Sequence, residues 1–252
     1  MTDSIKYHDE RQLYKDYQWV WDLISNPDEY RNLADYVIHK IREYQNYETK
    51  TLLHLGCGSG CMDFHLKRIF QVTGVDLSKE MISAAKSKNP ECEYLTGDMR
   101  DFRNDKKFDA VIIPDSIDYL MSVEDISKVY KNAKQLLKDN GLFAVIVGYD
   151  PEKFPQNRTT VDEVTDNKRL VTFIENNYAP DYTKNYFEAI FIFLIREKEK
   201  LETIIDHHTL GLFKKEIWFN EMAKAGFKTK LIEDPYLEEI EQEGTYMLTG
   251  AK

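Results

Sequence analysis

The run Thr51-Leu52-Leu53-His54-Leu55, leading straight into Gly56-Cys57-Gly58-Ser59-Gly60, constrains the fold more than any other stretch. A short apolar run bounded by a turn signal is the mark of a strand buried on both faces. Three glycines in five residues let the backbone turn tightly and approach a ligand with no Cβ in the way. In an open α/β sheet, such a turn sits at the carboxyl end of a strand, where ligands bind. A helix is expected to follow from Cys61 to Phe70.

The chain then alternates. Strands are expected at Gln71 to Val75, Glu91 to Leu95, Phe108 to Ile113 and Leu142 to Val147. Helices are expected at Ser78 to Lys88, with Ser78 as cap, and at Val123 to Lys138, stopped by Asn140-Gly141. Strands alternating with helices of these lengths imply a parallel, doubly wound sheet. Upstream, Gln12 to Tyr47 is aromatic-rich and helical in pattern, broken at Asn26-Pro27-Asp28.

After Tyr149 the alternation stops. Arg169 to Glu175, Tyr186 to Arg196 and Leu201 to Asp206 read as antiparallel strands, the last two joined by the charged turn Glu197-Lys198-Glu199-Lys200. A helix from Phe213 to Ala225 and strands at Phe227 to Glu233 and Thr245 to Leu248 close the chain. The expected division is residues 1–150 for N-terminal helices and the α/β core, 151–206 for an antiparallel β insertion capping the substrate, and 207–252 for the rest of the core.

Charge and cysteine content narrow the function. The 252-residue chain has a formal net charge of −10, and its Lys and Arg are scattered. A nucleic-acid groove needs a cationic stripe, so no nucleic-acid partner is expected. Cys57, Cys61 and Cys92 are odd in number and make neither a disulfide framework nor a four-ligand zinc site. Met1 to Glu10 is polar, with no signal-peptide core. The most apolar run, Ala189 to Ile195, is too short to span a bilayer. A cytoplasmic monomer or homodimer with no membrane partner is expected.

Beyond the glycine turn, Asp76 ends the second strand, where a carboxylate can accept hydrogen bonds from ribose hydroxyls. Nicotinamide and S-adenosylmethionine (SAM) sites share both features. The dinucleotide fingerprint G-x-G-x-x-G is not met, because the third glycine comes one residue early and Cys61 takes its place. Asp98 follows the third strand, placed to accept from an adenine amino group, with Met81 and Met99 able to pack on the ring.

In order and spacing, LLHLGCGSG, VTGVDLS, LTGDMRDF and FDAVIIPDSIDYL resemble the four motifs of the class I SAM-dependent methyltransferases over Thr51 to Phe143. The resemblance implies a Rossmann-like seven-stranded sheet with its last strand antiparallel, and SAM as cofactor. It assigns Gly56, Cys57 and Gly58 to the methionyl part, Asp76 and Leu77 to the ribose, and Asp98 and Met99 to adenine. His54 departs from it, since an acidic residue is more common there. Within that family the chain resembles small-molecule enzymes, the sugar N,N-dimethyltransferases and the glycine N-methyltransferase-like group. Tyr17-Gln18-Trp19-Val20-Trp21-Asp22, Asp28-Glu29-Tyr30 and the insertion ending in Asp206-His207-His208-Thr209-Leu210-Gly211-Leu212-Phe213 carry this closer match.

Methyl transfer requires alignment, exclusion of water and sometimes removal of a proton. His207 and His208 are the candidate bases, since imidazole titrates near neutrality. Adjacent strand residues face opposite sides, so only one is expected to reach the acceptor. Tyr17, Trp21 and Tyr30 are candidate walls for the sulfonium, although an apolar helix face packing on the core gives the same pattern. Pro114 is expected beneath the methyl donor, and Tyr119, Tyr149 and Tyr186 around the acceptor. Asp115 and Asp118 lack a convincing third oxygen ligand, so no metal is expected. The expected reaction is methylation of a small molecule, on an amine or amino-sugar nitrogen. The alternatives are O- or C-methylation, a nicotinamide-dependent oxidoreductase, and a non-catalytic SAM-binding module.

Overall fold

In the computed structural model, which describes residues 11–45 and 48–252, a seven-stranded sheet forms around β1 (Thr51–Leu55). To one side of β1 lie β2 (Gln71–Asp76) and β3 (Glu93–Thr96); to the other lie β4 (Phe108–Ile113) and β5 (Leu137–Val147). These five strands run parallel. The sheet is completed by β11 (Tyr246–Ala251), antiparallel to both β5 and β10 (Lys228–Ile232). The strand order therefore reverses between β1 and β4, which opens a crevice at their carboxyl ends.

Both faces of this sheet are covered, so its strands are continuous apolar runs rather than alternating ones. Leu53, Leu55, Val111, Ile113 and Val145 face one way, onto α5 (Val123–Leu136) and α6 (Lys215–Lys224). Leu52, Ala110, Ile112, Ala144 and Ile146 face the other way, onto α2 (Arg31–Tyr44). Ser122 caps α5 by accepting from Asp125 N, and Ser78 caps α4 (Lys79–Lys88) by accepting from Met81 N.

The insertion is a second sheet, an antiparallel meander of β6 (Arg158–Thr165), β7 (Arg169–Tyr178), β8 (Tyr186–Glu197) and β9 (Lys200–Gly211). Its strands alternate. Phe187, Ala189, Phe191, Phe193 and Ile195 of β8 are buried, with half-buried residues between them. This apolar face packs against Leu13 and against Val20 of α1 (Gln18–Ile24). Lys198, at positive φ, makes the tight turn between β8 and β9.

Several expectations are corrected. The helix expected over Cys61 to Phe70 contracts to α3 (Asp63–Leu66). Strand β5 begins at Leu137, which pairs with Phe108 before the ladder shifts register; Asn140, at φ 63°, lies in the irregular stretch. The sequence reading lacked β6, whose mostly polar, exposed residues mark a sheet edge, and lacked α7 (Pro235–Ile240). The expected division at 206/207 falls inside β9, which pairs with β8 as far as Gly211. Met1 to Glu10, Asn46 and Tyr47 lie outside the described residues. Among the described residues, no helix is long and apolar enough to cross a membrane.

Candidate active site

The glycine turn is strapped to the neighbouring strand. Gly56 N and Cys57 N both donate to Val75 O, at 2.7 and 3.0 Å. Gly56 has φ 72°, and a Cβ there would lie 1.8 Å from Ser116 Oγ, so only glycine lets the turn pass the end of β4. Asp76 closes the other side. Its Oδ2 accepts from Gly58 N at 2.9 Å and its Oδ1 from Ser78 N at 2.8 Å. Burial raises the Asp76 carboxyl, while these N–H donors pull it back down.

Behind the turn lies a buried polar network. His54 Nδ1 is 2.7 Å from Asp63 Oδ1, and Asp63 Oδ2 accepts from the Tyr94 hydroxyl at 3.0 Å. Asn89 Nδ2 donates to that hydroxyl and to Gly60 O, at 3.0 and 2.9 Å. His54 thus couples the end of β1 to α3 through a carboxylate that its own position lacks.

These elements line a cavity of about 900 Å³ at the crevice. That volume is in the range of small-molecule sites. Of the residues singled out above, Gly56, Gly58, Asp76, Leu77, Met81, Asp98, Met99, Pro114 and Trp21 line it together. Tyr119 and Tyr149 do so as well, and Tyr186 does not. Asp98 is held in a fork by Arg100, with Nη2 at 2.5 Å from Oδ2. Burial works to raise Asp98, but the Arg100 guanidinium and backbone N–H outweigh it and hold the carboxyl below its usual range.

Three expected donor-site residues lie elsewhere. The Cys57 side chain is buried with Ile82, Ala85 and Tyr94, because Gly74 leaves room for its sulfur; only its backbone belongs to the turn. Tyr17 turns away and donates to Glu202 of β9 at 2.9 Å. Tyr30 does not line the cavity, although its hydroxyl comes within 3.5 Å of Asp115 Oδ2.

The histidines are set back from the cavity. His207 and His208 lie on opposite faces of β9, and neither lines it. His207 Nε2 is 3.8 Å from Glu188 Oε2. His208 is fully buried, with Nε2 2.9 Å from Asp206 Oδ2 and Nδ1 2.7 Å from the Tyr119 hydroxyl. The Tyr119 hydroxyl is 2.8 Å from that of Tyr14, and both rings line the cavity. Asp206 also accepts from Leu13 N at 2.8 Å, and Ser78 Oγ donates to Tyr14 O at 2.5 Å. The segment 11–14 is thereby fastened to both the insertion and the core. Tyr14, Asp63 and Tyr94 carry no motif signal. Asp206 carries a faint one, two residues before His208 and so on the same strand face.

Asp115, Asp118, Glu175 and Glu241 all line the cavity, as do the basic residues Arg11, Lys15, Lys79 and Arg100. Asp115 and Glu241 are exposed to solvent, with protein around them on the cavity side. Burial pushes Asp115 up to about 6 and Asp118 up to about 7; Gly148 N–H eases the rise at Asp118 and the Asp115 charge adds to it. Burial likewise pushes Glu241 up to about 8, with the Asp115 charge adding to the rise. Among the described residues, no group of three or more His, Cys, Asp or Glu side chains is placed to hold a metal ion.

Comparison with known proteins agrees with this architecture. Residues 52–141 match the family described as a methyltransferase domain. The chain is 32% identical over 225 residues to the putative methyltransferase YqeM of Bacillus subtilis, covering 86% of this chain and 87% of that protein. It is 26% identical over 189 residues to the dTDP-3-amino-3,4,6-trideoxy-alpha-D-glucopyranose N,N-dimethyltransferase of Streptomyces venezuelae, covering 74% and 78%. The sugar N-methyltransferase KedS8 from Streptoalloteichus superposes with a TM-score of 0.83 at 21% identity, covering 94% of this chain and 92% of that one. The glycine turn, the carboxylates ending β2 and following β3, the reversed final strand and these similarities together place the chain in the class I SAM-dependent methyltransferases.

Proposed function

We propose that the protein methylates the nitrogen of a small amine, with the donor between the glycine turn and Asp98 and the acceptor in the carboxylate-lined part of the cavity. SAM supplies an electrophilic methyl group on a sulfonium. The chain's residues bind, align and exclude water. Asp76 keeps lone pairs free for the ribose hydroxyls. Leu77 is assigned to the ribose, and Met81, Asp98 and Met99 to the adenine; all four line the cavity. Trp21 lines the cavity, and its aromatic ring suits a cationic donor. The absent Cβ at Gly56 leaves the backbone of the turn open to the methionyl chain.

One observation carries the choice of acceptor: Asp115, Asp118, Glu175 and Glu241 line a single cavity. Carboxylates gathered in a confined space repel one another and an anionic ligand, and a cationic ligand relieves that repulsion. Asp115, Asp118 and Glu241 are already held above their usual range. An amine enters as an ammonium and satisfies this electrostatic demand. The sugar N,N-dimethyltransferase among the relatives acts on an amino group, which supports the same reading.

The test is release of S-adenosylhomocysteine from SAM in the presence of a panel of amines, amino sugars, phenols and carboxylic acids. Turnover confined to amine-bearing compounds is expected. Turnover only with phenols or acids would overturn the nitrogen assignment. SAM binding without turnover on any class would leave a binding module.

A further inference from the structure

We infer that the Tyr119 hydroxyl is the group that takes a proton from the acceptor, and that His208 and Asp206 complete a buried relay behind it. The inference rests on the reading of the cavity as the site of amine methylation. It assigns the histidine a role without contact, since His208 is walled off from the cavity by the tyrosine it bonds.

The hydrogen-bond directions follow from the end of the chain. A carboxylate only accepts, so His208 Nε2 carries a proton and donates it to Asp206 Oδ2 across 2.9 Å. In the neutral imidazole, Nδ1 is then the acceptor, and the hydroxyl 2.7 Å away on Tyr119 must donate to it. The Tyr119 oxygen is left to accept, first from the Tyr14 hydroxyl at 2.8 Å and then from a group in the cavity. Three donors from three parts of the chain, Tyr14, Tyr119 and His208, thus point their protons the same way, from the cavity toward the Asp206 carboxylate.

The transfer balances without an ionised tyrosine. As the acceptor ammonium gives its proton to the Tyr119 oxygen, the Tyr119 proton passes to His208 Nδ1. The freed nitrogen lone pair attacks the methyl carbon, and the C–S bond breaks with its electron pair left on sulfur. The positive charge removed from the acceptor rests on His208, paired with Asp206. It returns through Tyr119 to water when the cavity empties. Burial holds the Tyr119 phenol well above its usual range, so a passed-on proton suits this site and a standing phenolate does not.

The groups around the relay support this assignment. Arg11 lies 4.6 Å from the centre of the Tyr119 ring, and Asp115 stands at the start of the same loop. Phe191 of β8 covers His208 at 4.5 Å between ring centres, and the Tyr14 ring meets His208 edge-on at 5.3 Å. Water is thereby kept from the imidazole, while Asp206 remains to balance its charge. Burial works to raise Asp206, yet His208 and the Leu13 N–H hold it below its usual range.

The experiment has two arms on the full chain. In the first, Tyr119→Phe and His208→Gln are assayed with the amine that the wild-type protein turns over. Each is expected to lower kcat on the order of 10²-fold, the span of general-base catalysis, and to move the acid limb of the pH profile toward the acceptor's own pKa. SAM affinity should stay within about twofold, and the double variant should be no slower than the slower single one. Additive losses with the acid limb unmoved would mean that the chain only fastens the N-terminal segment, and would overturn the relay. The second arm needs no acceptor. In protein labelled with ¹⁵N-histidine, His208 should show a protonated Nε2 and a bare Nδ1 at neutral pH, and Tyr119→Phe should shift the Nδ1 resonance. A protonated Nδ1 in the resting protein would overturn the relay. A wild-type protein that methylates no amine would overturn the nitrogen assignment instead, leaving the tautomer result to be read separately.

Discussion

Gly56 and Ser116 approach so closely that the hydrogen of one stands where no carbon could, a would-be Cβ lying 1.8 Å from the serine Oγ. The contact joins the end of β1 to the residues after β4, across the point where the strand order reverses. Gly56→Ala is therefore expected to cost both stability and SAM binding. The left-handed backbone alone contributes about 1–3 kcal/mol, before Ser116 is displaced. Thermal unfolding and calorimetric titration with SAM check both losses together. A variant with wild-type affinity would show that the turn tolerates a side chain.

Asp76 divides its oxygens between Gly58 N and Ser78 N and lines the cavity. Asp76→Ala removes the proposed ribose acceptor and unties the turn. Charge-assisted hydrogen bonds are worth about 1.5–3 kcal/mol each, so SAM binding should weaken about tenfold to a hundredfold. Calorimetry with SAM, and with a nicotinamide dinucleotide as control, measures this. Unchanged SAM affinity would remove Asp76 from the donor site.

Asp118 gives a pH-dependent prediction. Its folded-state pKa is pushed from 3.8 up to about 7, so its contribution to stability is fully present below about pH 4 and lost as pH rises through 7. Asp118→Asn retains an acceptor for Gly148 N and cannot ionise. Relative to wild type, the variant should gain about 1–2 kcal/mol on moving from about pH 5 to about pH 8, allowing for solvent in the cavity. Asp115 and Glu241 also change charge in this window but do so in both proteins, so the comparison with wild type isolates Asp118. Asp109 and Asp206 are held low and act only at more acidic pH. Denaturant unfolding at the two pH values checks the sign. A variant less stable than wild type by the same amount at both would exclude it.

The pair His54–Asp63 is almost completely buried. Asp63→Ala strands the imidazole and the Tyr94 hydroxyl, at an expected cost of about 3–5 kcal/mol, as for other buried pairs broken on one side. Asp63→Asn, which keeps an acceptor, should lose less. Equal losses from the two would show that the carboxylate charge, rather than hydrogen bonding, holds α3 to β1. Guanidinium unfolding of both variants gives the comparison.

Much of the core was legible in the sequence because its signals are local. Thr51–Leu55 and Phe108–Ile113 read as buried strands from their short, mostly apolar runs, and Ser78 sits where a helix needs a side-chain acceptor. The apolar run Ala189 to Ile195 marked a strand, and the alternation of its buried and half-buried residues came only with the folded sheet. The edge strand Arg158–Thr165 was not legible, because a strand that buries little carries little hydrophobic pattern.

By itself, then, the sequence determined the layered sheet, the glycine turn and the positions of Asp76 and Asp98, since each depends on backbone conformation and on neighbours a few residues away. Only the tertiary structure decided what stands behind the cavity wall at Tyr119. Tyr14, Tyr119, Asp206 and His208 come from the N-terminal segment, the loop after β4 and the inserted sheet, and no spacing along the chain encodes their meeting. The folded structure also turned Tyr17 to Glu202 and buried the Cys57 side chain, because side-chain direction follows from packing against elements distant in sequence. A hydrogen-bond chain with one direction depends on such packing, which keeps water out and leaves each proton a single partner.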